Sequence, residues 1–345
     1  MSRSFGSISE ESEPKAKVTQ LTPKVVFRKK PTLHVFDASN WLCRAYFVSQ
    51  NQNRKLTAPD GTPTGAVYIF MTMVDAMLSQ IRRDPKGAYA AFCFDGRSNS
   101  TWRYRAIRNW SAEQTKDTIT KVFPKSSDYK GNRDRTKTAD LPIQMDLAQE
   151  ILEAYGVWAR RKTPYEADDI IGTLSHRFSR KYFVDIYSRD KDTLQLVDNP
   201  RTQVIMAAQS NAIEKRYTLK NVHSHFGVSH DLIVDFLAMC GDSADNVPGL
   251  PGVAEGTAVK LLEEYGSLEN LIKAAPTIKS NARWRNAIIG KYPLMDLDLQ
   301  RELVTIDRNV PMLPKNISDF EIGEPDLKAI KDLKKRLKFK RIFEI

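Results

Sequence analysis

Thr163-Pro-Tyr-Glu-Ala-Asp-Asp169, followed downstream by Arg189-Asp-Lys-Asp192, places five carboxylates within 27 residues. Like charges at that density repel one another unless a cation stands among them. Carboxylate oxygens suit Mg2+ or Mn2+, whereas zinc calls for His and Cys. The first stretch also reads as a helix start. Thr163 is the expected N-cap, Pro164 the first helical residue and Glu166 the closing member of a capping box, ahead of the amphipathic run Ile170, Ile171, Leu174, Phe178. Capping explains Glu166 and one early Asp with no metal at all. It does not explain three acids joined by Asp190 and Asp192.

Working outward, Pro31–Phe36 is a short β-branched and apolar run that ends in Asp37, and Ala88–Phe94 is another that ends in Asp95. Tyr182–Tyr187 repeats the pattern ahead of Asp190 and Asp192, and Gly156–Arg160 is a shorter strand before Glu166. Helical spacing fills the intervals at 65–81, where the methionines are core filling, and at 143–155. Strands alternating with helices predict an α/β fold: a mostly parallel sheet with helices on both faces. Function in such sheets gathers at the carboxyl ends of the strands. Asp37, Asp95, Asp190 and Asp192 therefore fall along one edge, where the Glu166 helix must also begin. Gln203–Ala207 and Glu214–Tyr217 complete the set as short strands.

The chain has 345 residues and a formal net charge of +11, which points to an anionic partner, nucleic acid before a membrane surface. Three scattered cysteines, Cys43, Cys93 and Cys240, suggest neither a disulfide framework nor a metal knuckle. No signal-like or membrane-length apolar run occurs, so a soluble cytoplasmic protein with a disordered tail over 1–30 is expected. Residues 97–137 carry eleven Lys or Arg against four Asp or Glu, interleaved with Trp102, Tyr104, Trp110, Phe123 and Tyr129. That is either a solvated helix pair with packed aromatics or a phosphate-gripping segment with stacking surfaces. His223, His225 and His230 read as surface residues. An apolar helix over 232–240 leads through Gly241-Asp-Ser-Ala-Asp245 and Pro248–Gly256 into an amphipathic run at 257–265. Such a pair is a plain helical corner, or it offers backbone N–H groups to a phosphate. Residues 327–343 suit a basic amphipathic helix or a docking tail.

The ordered set Phe36-Asp-Ala-Ser, Thr64-Gly-Ala-Val-Tyr, Phe94-Asp-Gly, Tyr129-Lys-Gly-Asn-Arg133, Glu166-Ala-Asp-Asp169, Asp190-Lys-Asp-Thr-Leu-Gln-Leu196 and Gly241–Gly252 resembles the 5′-nuclease, or flap endonuclease, family in its bacterial and phage branch. The resemblance covers roughly residues 32 to 310 and includes the nuclease domain of bacterial DNA polymerase I. It implies that Asp37, Asp95, Glu166, Asp168, Asp169, Asp190, Asp192, Asp242 and Asp245 surround two Mg2+ or Mn2+ ions, with Asp168 bridging them. It implies that Arg44, Tyr129, Lys130 and Arg133 meet DNA near the scissile phosphate. Residues 97–137 become an arch within a catalytic domain at 31–218. Residues 219–310 become a helix-three-turn-helix domain in which Gly249, Gly252, Val253, Gly256 and Lys260 hold duplex DNA beside a K+ ion, followed by a basic segment at 311–345. The implied partners are DNA 5′ ends, flaps and junctions, and replication proteins, for a monomeric enzyme. A PIN-type ribonuclease and a non-catalytic junction binder are the alternatives.

Overall fold

The computed structural model describes residues 22–51, 56–96, 100–131, 133–206 and 214–339. Residues 1–21 of the expected tail, Arg97 at the start of the expected arch, Ala207 of the expected fifth strand and 340–345 lie outside them.

Six strands form one sheet in the order β3-β2-β1-β4-β5-β6. They are β1 (Thr32–Asp37), β2 (Tyr89–Phe94), β3 (Trp158–Arg161), β4 (Phe183–Tyr187), β5 (Thr202–Met206) and β6 (Lys215–Thr218). All pair in parallel except β6, which runs antiparallel to β5. Every residue of β1 is buried, as a central strand covered on both faces must be. Its alternate side chains divide between two cores. Leu33 and Val35 face one, and Phe36 faces the other.

On the Phe36 face, α1 (Ala38–Asn51), α2 (Gly65–Ile81) and α5 (Leu141–Ala154) close over a ring stack. Phe36 lies 4.3 Å from Phe92 and 4.5 Å from Tyr187, centroid to centroid. The opposite face carries α6 (Ala167–Phe178). The crossover from β2 holds α3 (Trp102–Ala112) and α4 (Lys116–Val122). Among the described residues, seven α-helices follow β6: α7 (His223–Phe226), α8 (Ile233–Cys240), α9 (Glu255–Tyr265), α10 (Leu268–Ala274), α11 (Arg283–Ile288), α12 (Leu297–Val304) and α13 (Leu327–Leu337).

Three expected boundaries shift. One hydrophobic cluster runs from α6 into α8, α9 and α12, so no separate core begins at 219. Residues 22–30 are tied down. Val25 N–H donates to Gln80 at 3.1 Å, and Arg28 pairs with buried Asp185 at 2.7 Å. The segment after 311 is structural as well. Ile322 N–H reaches Ala88 C=O, Gly323 N–H reaches Gly156 C=O and Asp326 N–H reaches Ala154 C=O. Helix α13 then buries Ile330, Leu333 and Leu337 in the core beneath α5 and turns its lysines outward. Its apolar stripe at four- and three-residue spacing requires that cover.

Candidate active site

The carboxyl edge of the sheet gathers the acids. Asp37 ends β1, with Oδ1 accepting the Asn40 N–H at 2.9 Å and Oδ2 the Ser188 hydroxyl at 2.8 Å. Because β4 is the neighbour of β1, the Ser188 loop stands beside it. Ser188 Oγ accepts the Asp190 N–H at 3.1 Å, and Asp190 Oδ1 accepts the Asp192 N–H at 3.0 Å. Asp95, one residue past β2, donates its N–H to Ser39 Oγ at 2.8 Å and accepts the Ala167 N–H at 2.9 Å. That N–H is one of the donors a helix start leaves open, so α6 begins on a strand-ending carboxylate. Asp168 follows directly.

Electrostatics confirm the crowding. Burial, then the charges of Asp95 and Asp190, push Asp37 up to about 7. Burial and the charges of Asp37, Asp190 and Asp95 carry Asp168 well above the usual carboxylate range. Burial likewise raises Asp190 and Asp192, with Asp242 and Asp245 adding to both. Asp168 Oδ1 and Asp192 Oδ1 are buried with no hydrogen-bond partner. Among the described residues, no three His, Cys, Asp or Glu side chains enclose an ion as they stand. The acids share one electrostatic field rather than one finished coordination sphere. An all-oxygen donor set with two orphaned buried oxygens fits a hard divalent cation of the Mg2+ or Mn2+ kind.

Asp169 does not belong to that set. It is fully buried, and the fork of Arg103 holds both its oxygens at 2.8 Å. Oδ1 also accepts the Asp307 N–H, and Oδ2 accepts the Glu166 N–H and the Trp102 indole N–H. Five donors leave it nothing to offer an ion. The expected capping box is displaced for the same reason. Glu166 is the N-cap and Asp169 its partner, while Thr163–Tyr165 forms a turn before the helix. The carbonyls of that turn are taken by the segment that follows β2: Gly96 N–H reaches Tyr165 C=O and Trp102 N–H reaches Pro164 C=O. A Cβ on Gly96 would lie 2.9 Å from the Tyr165 carbonyl oxygen, so this approach needs glycine.

The basic residues converge on Glu166 and Asp245. Lys130 Nζ stands 2.8 Å from Glu166 Oε1 and 3.7 Å from Asp245. Tyr129 is buried and donates to Asp245 at 2.6 Å, with Glu166 Oε2 at 3.2 Å. Arg133 pairs with Asp245 at 2.6 Å. Burial opposes the charge on Lys130, but Glu166 and Asp245 outweigh it and hold its pKa up. Burial also works against ionised Asp245, yet Lys130 and Arg133 keep it below its ordinary value. For Glu166 burial wins, and its pKa is raised. Arg44 rises from α1, half-buried, its pKa lowered by burial and by the charge of Arg189.

The aromatic residues of the basic segment pack rather than present faces. Phe123 is buried with Trp110 edge-on at 5.9 Å, and the Trp102 indole is spent on Asp169. The exposed cations Arg105, Arg108, Lys116, Lys121 and Lys125 keep the phosphate-gripping half of that expectation open.

In the hairpin loop between α8 and α9, residues 241–254, Asp242 and Val247 pair through both backbone bonds. Asp242 Oδ1 accepts the Ala244 N–H at 2.8 Å. Val253 and Gly249 are not surface contacts: Val253 is buried with its N–H on Leu250 C=O, and Gly249 donates to buried Gln300 at 2.6 Å. Gly252, Gly256 and Lys260 are exposed. No side chain caps α9, whose first turn also carries Glu255.

Sequence reasoning missed what Arg103, Trp102, Ser39 and Ser188 hold in place. Arg103 had one usable signal. Together with Ile107, four residues on, it forms the buried side of α3.

Residues 32–227 match the 5′-3′ exonuclease N-terminal resolvase-like domain, and residues 228–328 match the 5′-3′ exonuclease C-terminal SAM fold. A 5′-3′ exonuclease of Aquifex aeolicus is 31% identical over 318 residues, which is 91% of this chain and 94% of that protein. DNA polymerase I of Caldicellulosiruptor bescii is 31% identical over 90% of this chain, which spans only 33% of the polymerase. Among solved structures, T5 5′-exonuclease with bound zinc superposes with a TM-score of 0.59 at 15% identity, over 89% of this chain and all of that one. The catalytic core of Rad2 in complex with DNA substrate gives 0.55 at 17% identity, over 93% and 90%. The two family domains adjoin at residue 228 and together span the sheet, the acidic edge and the hairpin, and on that match the chain belongs to the 5′-3′ exonuclease family.

Proposed function

We propose that this protein hydrolyses DNA phosphodiester bonds as a 5′-3′ exonuclease and structure-specific 5′-flap endonuclease, using two Mg2+ or Mn2+ ions. The observation that carries the reading is the acidic edge itself. Asp37, Asp95, Asp168, Asp190 and Asp192 converge there; burial and mutual repulsion raise the pKa values of Asp37, Asp168, Asp190 and Asp192, and Asp168 and Asp192 each keep an orphaned oxygen, a costly arrangement for a polyanion binder that does no chemistry.

Asp168 and Asp192 would supply the open oxygens, with Asp37, Asp95, Asp190, Asp242, Asp245 and Glu166 around them. Bound ions there would supply Lewis-acid stabilisation of an in-line displacement at phosphorus. Lys130 and Arg133 sit at the rim of the same cluster and bring positive charge to the phosphate as negative charge develops on it. Arg44 approaches from α1, on the β1 side. The exposed cations of the arch and Lys260 behind the hairpin would grip the strand and the duplex without reading bases. The zinc bound to T5 5′-exonuclease and the DNA bound to Rad2 support the metal and the ligand class by likeness of fold.

The test is product mapping on 5′-labelled flap, nicked and blunt duplexes. Magnesium-dependent cuts at the flap junction and stepwise products from the 5′ end are expected. Cleavage that persists in EDTA, or confinement to RNA, would refute the reading.

A further inference from the structure

Arg103 is the most heavily engaged cation at the site, and the reaction outlined above gives it no role. It is 3% exposed. Its fork grips Asp169 at 2.8 Å on both prongs. The remaining N–H groups reach the Leu303 carbonyl at 2.8 Å and the Thr305 carbonyl at 2.7 Å, and Glu166 Oε2 lies 3.4 Å away. One side chain therefore joins three pieces that are distant in sequence: the foot of the arch on α3, the first turn of α6 and the end of α12. A planar five-donor fork can serve all three at once, and an ammonium cannot.

Asp169 in turn fixes the Glu166 backbone N–H. Glu166 and Asp168 flank Ala167 in the turn that Arg103 immobilises, so their carboxylates inherit its geometry. We propose that Arg103 is a positioning residue for phosphodiester cleavage: through Asp169 it sets the aim of Glu166 and Asp168 and locks the arch to that aim. This rests on the metal-dependent reading above. Buried ion pairs seldom add net stability, so a pair this well formed is better explained by the geometry it imposes.

The experiment uses two charge-balanced variants, so that geometry is tested and not net charge. Arg103→Lys keeps the cation and loses the fork. Arg103→Gln with Asp169→Asn removes both charges and keeps the bulk. Mn2+ binding is measured directly by calorimetry on DNA-free protein, flap cleavage is resolved into kcat and KM, and thermal melts monitor folding. The expected result is kcat down tenfold or more, KM within twofold, and Mn2+ affinity at least fivefold weaker. A folded variant that keeps parental kcat and Mn2+ affinity overturns the proposal. So does a fall in kcat with unchanged Mn2+ affinity, which would confine Arg103 to the arch. Failure of both variants to fold would make it a fold staple and also overturn it. Failure of the parent protein to bind Mn2+ or cut flaps would instead sink the metal-dependent reading.

Discussion

Lys130 Nζ lies 2.8 Å from Glu166 Oε1, so a cation from the basic 97–137 segment is already seated on the carboxylate that caps α6. The same side chain cannot serve Glu166 and a phosphate equally. Lys130→Ala removes both a competitor for Glu166 and a source of positive charge at phosphorus. The expected outcome is divergent: Mn2+ binds severalfold tighter, while kcat on flap DNA falls by about 10²–10³. Calorimetry and single-turnover cleavage read the two effects separately. A parallel loss of both would mean that Lys130 holds the site together instead.

Asp168 is held against its charge by burial and by Asp37, Asp190 and Asp95. Asp168→Asn should therefore raise the melting temperature in EDTA while lowering cleavage by about 10³-fold. Millimolar Mg2+ should stabilise the parent by mass action and leave the variant nearly unmoved. Equal melting temperatures in EDTA would show that the repulsion relaxes in solution. The expectation follows from the trade of stability for function at sites built from like charges.

His34 provides a pH dependence away from the chemistry. It is buried in β1 with Nδ1 3.0 Å from the Tyr187 hydroxyl. Burial takes its pKa down to about 4, against the upward pull of Asp185 and Asp84 and with a smaller downward push from Arg28. The unfolded chain binds the proton near the ordinary value of about 6.5, so His34 contributes stability that is complete above that pH and drains away as pH falls toward 4. The full span is worth about 3 kcal/mol. His34→Gln keeps a partner for Tyr187 and should flatten the difference in urea midpoints between pH 7 and pH 4.5. Parallel pH profiles for parent and variant would refute this.

The strands were legible because a sheet covered on both faces leaves apolar runs in the sequence, and the three most apolar runs, at β1, β2 and β4, lead into acids. Their convergence followed from parallel topology alone. What the sequence hides is pairing at a distance. Asp169 is set apart from Asp168 by donors that come from a distance, above all Arg103, 66 residues upstream, which folds back onto it, and no local pattern records that. The same limit applies to Val253, whose neighbours suggest a turn while its side chain belongs to the core. The helix after residue 326 read as a basic amphipathic helix or a docking tail; its lysines outnumber its three buried apolar residues, yet those three decide where it docks.

Gly249 and Gly256 separate folding from binding in the hairpin. A Cβ on Gly249 would lie 2.5 Å from Gly241 N and within 2.7 Å of Cys240 backbone atoms, at φ +69°. Gly249→Ala should cost about 2 kcal/mol or more, through clash and strain together. At Gly256, in the first turn of α9, nothing lies within 4 Å. Gly256→Ala should stabilise the fold by about 0.5–1 kcal/mol, since alanine favours the helix and narrows the unfolded ensemble. If the uncapped first turn of α9 holds a phosphate, the added methyl stands between backbone and ligand. Duplex affinity then falls severalfold while the melting temperature rises, an opposition that misfolding cannot produce. Fluorescence anisotropy with blunt duplex and a thermal melt on the same sample decide it. Unchanged affinity would remove the first turn of α9 from the DNA surface and leave Lys260, further along the helix, and the exposed cations of 97–137 to carry the grip.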